Sequence, residues 1–531
     1  MTENNASPPA KAAPGLLRSS ALVGGMTMTS RVLGLLRDVV IAAFVGASSN
    51  ADAFFVAFKI PNFLRRLFAE GAFSQAFIPV LADYKAEGSV VAVKALVDRV
   101  SGVLGGTLLF ITTLSMFAAP LITLIFAPGF VSNPEKFQLT SDMTRITFPY
   151  LLLISMTGLC GAVLNSYGRF AVPAFTPVFL NLSLIFAALV AAPWFDEPVL
   201  ALAWGVLLAG VVQLSFQLPF LYRLELVPRP RWDTRDEGVR RIMKLMVPAL
   251  FGVSISQINL LLDTVLASFL PTGSVSWLYY SDRLTELPLG IFGIAIATVI
   301  LPNLSAFRAA DRTRQYSATL DWALRCVLLI GVPSALALIL LAEPILISLF
   351  QYGALTMADV EMSALSLRAY SVGLVAFMLV KVLAPGFYAR KDTATPVKIG
   401  IVAMVANMVM NLMLSLPLMY LWNIGHVGLA LATSLAAMLN AGLLLRGLLR
   451  AGFFQLQPGW GRFSLRLLLA SVCMIAALLW ISPAATDWID WQWQRRALEL
   501  LLLCCVGVGV YFAAHALLGT RMSHLRAPAG L

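Results

Sequence analysis

Charge is what this chain has least of. Only 12% of its 531 residues are Asp, Glu, Lys or Arg, about half the share of roughly 25% usual in a soluble domain. Histidine is nearly absent: His426, His515 and His524 are scattered and make no metal cluster. Five cysteines form no C-x-x-C pair and fall mostly inside apolar runs, so neither a disulfide framework nor a zinc site is indicated. No G-x-x-x-x-G-K-[ST], H-E-x-x-H or G-x-S-x-G pattern occurs, which removes the phosphate loop, the zinc-protease helix and the esterase elbow. Residues 1–17 form a Pro/Ala/Asn-rich tail without the basic, apolar and A-x-A regions of a cleaved signal. Loops are short, leaving little room for a soluble catalytic domain. The remaining enzymatic reading is an integral-membrane transferase that uses intramembrane charges on a lipid phosphate.

What the chain has instead is hydrocarbon. It is 59% hydrophobic, with a mean hydropathy of +0.83. About 20 apolar residues cross a bilayer as a helix. That rule predicts an all-α polytopic membrane protein with about fourteen transmembrane helices. The expected spans are 19–45, 51–69, 100–127, 141–165, 173–193, 199–222, 242–270, 275–301, 320–342, 360–388, 396–421, 426–445, 464–482 and 497–519. With the N-terminus in the cytoplasm, nearly all loop Lys and Arg residues fall inside, and Lys136 stands out among the few outside. Both termini are therefore expected in the cytoplasm. Cationic loops near anionic lipid account for most of the net charge of +11, so no nucleic-acid partner is inferred. Trp194, Trp422, Trp488, Trp491 and Trp493 fall near outer span ends, where interfacial aromatics are expected.

The sequence also repeats, with a lag of roughly 220–225 residues. "LLRDVVIAAF" (35–44) resembles "LLLDTVLASF" (260–269), setting Asp38 against Asp263. "FIPVLADY" (77–84) resembles "ILPNLSAF" (300–307), and "NSYGRFAVPAFTPV" (165–178) resembles "GFYARKDTATPV" (386–397). Six spans separate the copies, so the halves share an orientation and form two parallel six-helix lobes plus two C-terminal helices. The expected divisions are a tail at 1–17, lobes at 18–223 and 224–450, and the extra helices with a tail at 451–531. Such a pair suggests alternating access around a site drawn from spans 1, 2, 7 and 8.

Those four spans carry the anomalous charges. Span 1 holds Arg31, Arg37 and Asp38; span 2 holds Asp52, Lys59, Arg65, Arg66 and Glu70; span 7 holds Asp263; span 8 holds Asp282, Arg283 and Glu286. An Arg at mid-bilayer costs at least about 2.5–3.5 kcal/mol on insertion scales, so each needs a reason. Arg66 with Glu70, and Arg283 with Glu286, have the spacing of ordinary intrahelical pairs. Arg65 and Arg66 could also snorkel to the cytoplasmic surface. Arg37 and Asp38 are neighbours that do not face each other on a helix, so Arg37 is expected to need a partner elsewhere. Arg31 and Arg37 are about 240° apart around an ideal helix and share a face only if span 1 bends, with Gly34 between them. Several guanidinium groups facing one cavity would suit a pyrophosphate, which their planar forks can grip. Asp263 suits a coupling cation such as Na⁺ or H⁺, or a structural pair. Arg368 and Lys381 of span 10 have no evident partner in the sequence.

"GMTMTSRVLGLLRDVVIA" and "ADAFFVAFKIPNFLRRLFAEGAFSQAFIPVLADY" strongly resemble the bacterial lipid II flippase family (MurJ/MviN). "GSVSWLYYSDRLTELPLGIFGIAIATVILPNLS", "LFQYGALT" and "VKVLAPGFYARKDTATPVKI" extend the match from about Ser20 to the final spans. The resemblance implies the multidrug/oligosaccharidyl-lipid/polysaccharide exporter superfamily. It implies transport of the undecaprenyl-pyrophosphate-linked disaccharide pentapeptide of peptidoglycan, lipid II, to the outer leaflet of the bacterial inner (plasma) membrane. The family's cavity arginines fall on Arg31, Arg37, Arg65 and Arg283, its acids on Asp38, Asp52 and Glu286. The last two helices correspond to a groove for the lipid tail. Some members bind Na⁺ through an acid in span 7, where Asp263 sits, and others carry a neutral residue there. No cofactor is implied; coupling to Na⁺, to H⁺ or to the membrane potential is each an open expectation. Cell-wall synthesis proteins are neighbours in the pathway. The alternatives are a flippase for another polyprenyl-pyrophosphate-linked glycan and a cation-coupled exporter of the same superfamily.

Overall fold

A computed structural model describes residues 14–66 and 73–520. No strand occurs among the described residues. The helices of the first half are α1 (Pro14–Val45), α2 (Ser49–Arg65), α3 (Ser74–Ala86), α4 (Val90–Phe117), α5 (Ala119–Phe126), α6 (Pro134–Thr147), α7 (Tyr150–Ser166), α8 (Ala171–Phe175), α9 (Pro177–Phe186) and α10 (Leu200–Tyr222). Those of the second half are α11 (Glu237–Ser268), α12 (Ser274–Pro288), α13 (Ile294–Ala309), α14 (Thr313–Leu340), α15 (Ala342–Phe350), α16 (Met357–Tyr388), α17 (Ala394–Trp422) and α18 (Gly425–Arg450). Three more complete the chain: α19 (Trp460–Ile481), α20 (Ala485–Asp490) and α21 (Trp493–Leu517).

Within the described residues, each of the fourteen expected spans falls on a helix or a broken pair of helices; residues 67–69 of the second lie outside them. Three are broken. The 100–127 segment is α4 and α5, separated at Ala118; the 141–165 segment is α6 and α7, separated just before Tyr150. Pro149 supplies no backbone N–H at that second break. The 173–193 segment runs through α8, α9 and a π-type turn over Ala187–Ala191, with Pro173 and Pro177 punctuating its start. Ten helical segments are long and apolar enough to cross a membrane among the described residues. The four expected spans outside that set are 19–45, 51–69, 242–270 and 275–301, the four with the anomalous charges. The chain is a polytopic membrane protein.

Two compact units emerge. The first comprises residues 1–41, 57–119 and 141–253, the second residues 42–56, 120–140 and 254–531. In the first, Phe77, Leu81, Leu96, Val97, Leu159 and Leu221 form a buried core that joins α3, α4, α7 and α10. In the second, Leu304, Leu320, Val327, Leu374, Leu383 and Leu448 join α13, α14, α16 and α18. The extra helices are tied in by polar contacts at apolar depth. Tyr511 donates to the Leu329 carbonyl at 2.8 Å. The buried Arg496 guanidinium donates to the carbonyls of Ile347, Gln351 and Ile489. Trp488, expected at the interface, is instead fully buried, with its ring centroid 5.3 Å from that of Trp491.

Candidate functional site

In the first unit, α1 is one unbroken helix through Arg31 and Arg37. Arg37 and Asp38 are both buried. Contrary to the expectation that neighbours cannot meet, Arg37 Nε and Nη2 reach Asp38 Oδ1 at 2.9 and 2.6 Å. Neighbours on a helix diverge by about 100°, but the long, flexible arginine side chain folds back across that angle. The expected distant partner exists as well: Nη1 donates to Asn181 Oδ1 of α9 at 3.1 Å. Asn181 in turn donates to the Ser30 carbonyl at 2.9 Å, and Gly34 gives it room. Arg37 is thus held on two sides, a charge neutralised inside an apolar bundle. Arg31 is half-buried and makes no hydrogen bond or ion pair among the described residues. Arg65 Nε donates to Asn62 Oδ1 at 3.3 Å, one turn back on α2. Lys59 is half-buried and Arg66 exposed. Glu70 lies outside the described residues.

In the second unit, Asp52 is 1% exposed. It accepts four hydrogen bonds. Gly273 N and Lys136 Nζ reach its Oδ2, each at 2.8 Å. Ser276 N and Ser276 Oγ reach its Oδ1 at 3.0 and 2.7 Å. The backbone explains the demand: the N-cap of α12 is Gly273, which has no side chain to satisfy the first N–H groups. Asp52, 221 residues earlier, supplies the missing oxygen. Lys136 is buried too, with its ammonium 4.1 Å from the Phe130 ring centre. Close backbone packing extends this junction. Ala354 N donates to the Ala43 carbonyl at 2.8 Å and Tyr280 OH to the Gly46 carbonyl at 2.7 Å. Gly353 and Gly46 both have positive φ, and a Cβ on either would lie 2.3 Å from Ala43 O or 2.5 Å from Ala354 O, respectively.

The other acids and bases of the second unit are placed as follows. Arg283 Nη1 pairs with Glu286 Oε2 at 2.9 Å, the intrahelical pair anticipated, and its guanidinium carbon stands 5.1 Å from the Tyr279 ring centre. Asp282 is exposed. Asp263 accepts from Asn411 Nδ2 of α17 at 2.7 Å, and that same nitrogen lies 3.1 Å from Asn407 Oδ1. Arg368 has the partner its sequence concealed, Glu343 at 2.8 Å; Lys381 is exposed. No group of three or more His, Cys, Asp and Glu residues suited to a metal occurs among the described residues.

The sequence reading missed two partners. Asn181 drew no notice in the sequence, although an amide inside "VFLNLSLIF" is itself a signal of a buried hydrogen bond. Lys136 was legible as a lone cation on the side depleted of them, the kind of exception that marks a buried pair.

Residues 41–492 match the family model described as lipid II flippase MurJ. A Vibrio cholerae protein named probable lipid II flippase MurJ is 49% identical over 519 residues, covering 96% of this chain and 98% of the relative. The lipid II flippase MurJ of Burkholderia cenocepacia is 42% identical over 517 residues, covering 96% of this chain and 99% of its own. Among solved structures, an inward closed conformation of lipid II flippase MurJ superposes with a TM-score of 0.78 at 26% identity, covering 94% of this chain and 98% of that one. An inward-facing multidrug resistance transporter of the MATE family, at 15% identity and a TM-score of 0.63, shares the fold over 82% of this chain and 98% of its own. Charged helices of this kind, in a chain matched from end to end, leave one assignment: it belongs to the lipid II flippase MurJ family, whose members are transporters and not enzymes.

Proposed function

We propose that this chain moves lipid II from the cytoplasmic to the outer leaflet of the bacterial inner membrane by alternating access, with both termini in the cytoplasm. The observation that carries the reading is the end-to-end identity of 49% with a relative named for that activity. The charged helices supply the chemistry. Arg31, Arg37 and Arg65 on α1 and α2, with Arg283 on α12, are the proposed pyrophosphate ligands. Arginine keeps its charge and offers a fork that matches phosphate oxygens. Arg31 is best placed to engage first, since it gives up no partner among the described residues to do so. Asp38 and Asn181 hold Arg37 ready, and Glu286 does the same for Arg283. The polyprenyl tail stays in the lipid, beside α19 and α21.

A ligand shifts a conformational balance only through its different affinity for the two states. Asp52, with three hydrogen bonds from Gly273 and Ser276 and one from Lys136, holds the start of α12, the helix that carries Arg283. Asp263 is the proposed coupling site. Its carboxylate lies beside Asn411, whose Oδ1 is buried without a donor among the described residues. Anionic and amide oxygens of this kind suit a small hard cation.

Depletion of the protein in its own cells, with assay of lipid II at the outer leaflet, tests the reading. Intact lipid II trapped inside is the expected result. Exposure as usual, with another polyprenyl-linked glycan trapped, would overturn the substrate. Arg31→Ala or Arg283→Ala should abolish transport while the protein stays inserted and folded; cells growing normally on either would sink the arginine site.

A further inference from the structure

The first unit holds a half-open cavity whose largely apolar wall is set with a group of polar side chains. It measures about 310 Å³, the lower end of the roughly 300–1,000 Å³ typical of small-molecule sites. Arg65, at the end of α2, stands on its wall together with Tyr150 and Asn165 of α7 and Gln213 and Gln217 of α10. Thr176, just before α9, completes the polar lining. The two glutamines stand at i and i+4 in the largely apolar α10, so they share one face. Gly161 keeps α7 open at this point; a Cβ there would meet Pro173 at 3.4 Å and Gln217 Nε2 at 3.8 Å.

The order of donors and acceptors fixes how Gln217 points. Thr176 Oγ1 gives its single proton to the Val172 carbonyl at 2.9 Å. Toward Gln217 it can therefore only accept, and the amide atom 2.9 Å away must be Nε2. The carbonyl Oε1 is turned to the other side. It has no donor among the described residues, on a side chain 1% exposed. Gln213 shows the contrast: its Nε2 donates to the Thr176 carbonyl and its Oε1 accepts from Tyr150 OH, each at 3.3 Å. A buried acceptor left without a donor is costly, and on a residue that lines the cavity it marks a place for a ligand's N–H or O–H.

We infer that this cavity is the subsite for the sugar joined directly to the pyrophosphate. Arg65 at the wall holds the phosphate end, and a hydroxyl or amide N–H of the sugar donates to Gln217 Oε1. The inference rests on the lipid II reading and adds a selectivity to it. The chain distinguishes the loaded carrier from undecaprenyl pyrophosphate, which has the same charge and tail but no sugar. That bare carrier is what any glycosyl transfer from the pyrophosphate leaves behind, so discrimination keeps the transporter from being occupied by spent lipid.

Equilibrium binding of lipid II and of undecaprenyl pyrophosphate to the purified full chain in nanodiscs provides the test. Wild type should bind lipid II more tightly. Gln217→Met, similar in length but without the amide, should weaken lipid II binding by about tenfold and leave undecaprenyl pyrophosphate unchanged. Ile154→Trp, which fills the cavity from α7, should do the same by a route independent of the α10 amide. Equal losses for both lipids, or no loss in either variant, would overturn the subsite and leave the flippase reading standing. Wild type binding neither lipid would overturn the flippase reading itself, and the subsite with it.

Discussion

The corners where each half of the repeat passes from its first helix to its second are built from different resources. In the first half, Asp38 has its cation next door in Arg37, and α2 is capped by its own Ser48, whose Oγ accepts from Ala51 N at 3.2 Å. In the second half, Leu262 stands where the repeat has Arg37 and Gly273 stands at the cap. Asp263 therefore takes a hydrogen bond from Asn411 on α17, and α12 takes its cap from Asp52 on α2. One corner carries its own partners and the other borrows them. A few side chains decide whether each corner finds its partners close by or on other helices.

Replacing Arg37 breaks the self-sufficient corner most severely. Arg37→Leu leaves Asp38 buried without its cation and should cost about 3–5 kcal/mol of stability, read as a large fall in the thermal unfolding midpoint. Adding Asp38→Asn should restore the midpoint without restoring transport. Recovery of transport in the double variant would show that Arg37 serves only to neutralise Asp38.

Next comes the borrowed cap. Asp52→Asn removes the charge facing Lys136 and half of the acceptor capacity at α12. Its expected cost is about 2–3 kcal/mol, measured by the same unfolding experiment, and Lys136→Met placed on top should recover part of it. A loss no larger than a surface substitution would mean that the α12 terminus has another partner.

Removing the local cap is milder. Ser48→Ala should cost about 1 kcal/mol, less than Asp52→Asn; the reverse order would overturn the distinction between own and borrowed partners. The smallest stability effect belongs to Asp263→Asn, which keeps an oxygen that can accept from Asn411 Nδ2. Its expected signature is functional: any dependence of transport on Na⁺ or on the proton gradient disappears while the unfolding midpoint stays within about 0.5 kcal/mol of wild type. Persistence of the ion dependence would remove Asp263 from coupling.

These two corners also show what a sequence can and cannot disclose. The spans were legible because hydrocarbon thickness sets their length, and the residues with unusual energetics were legible because charges are rare in apolar runs. Helix breaks at Ala118 and before Tyr150 were not, because local backbone geometry interrupts those runs without interrupting their hydropathy. Partners were hidden more deeply. That Arg37 would turn to its own neighbour depends on a rotamer, and that Asp52 would cap a helix 221 residues away depends on the assembled bundle. Hydropathy assigns each residue its solvent and says nothing about its mate.

The seam between Gly46 and Gly353 has a genetic consequence. Every missense change of a glycine codon introduces a Cβ, and at these two positions that atom would lie on a backbone carbonyl oxygen. Neither position has a conservative allele. Gly400 and Gly442, with no atom within 4 Å of a built Cβ, should accept alanine freely under growth selection. A compound resting on the turn around Gly353 would press on backbone that the gene cannot reshape by one substitution, leaving resistance to arise from surrounding side chains.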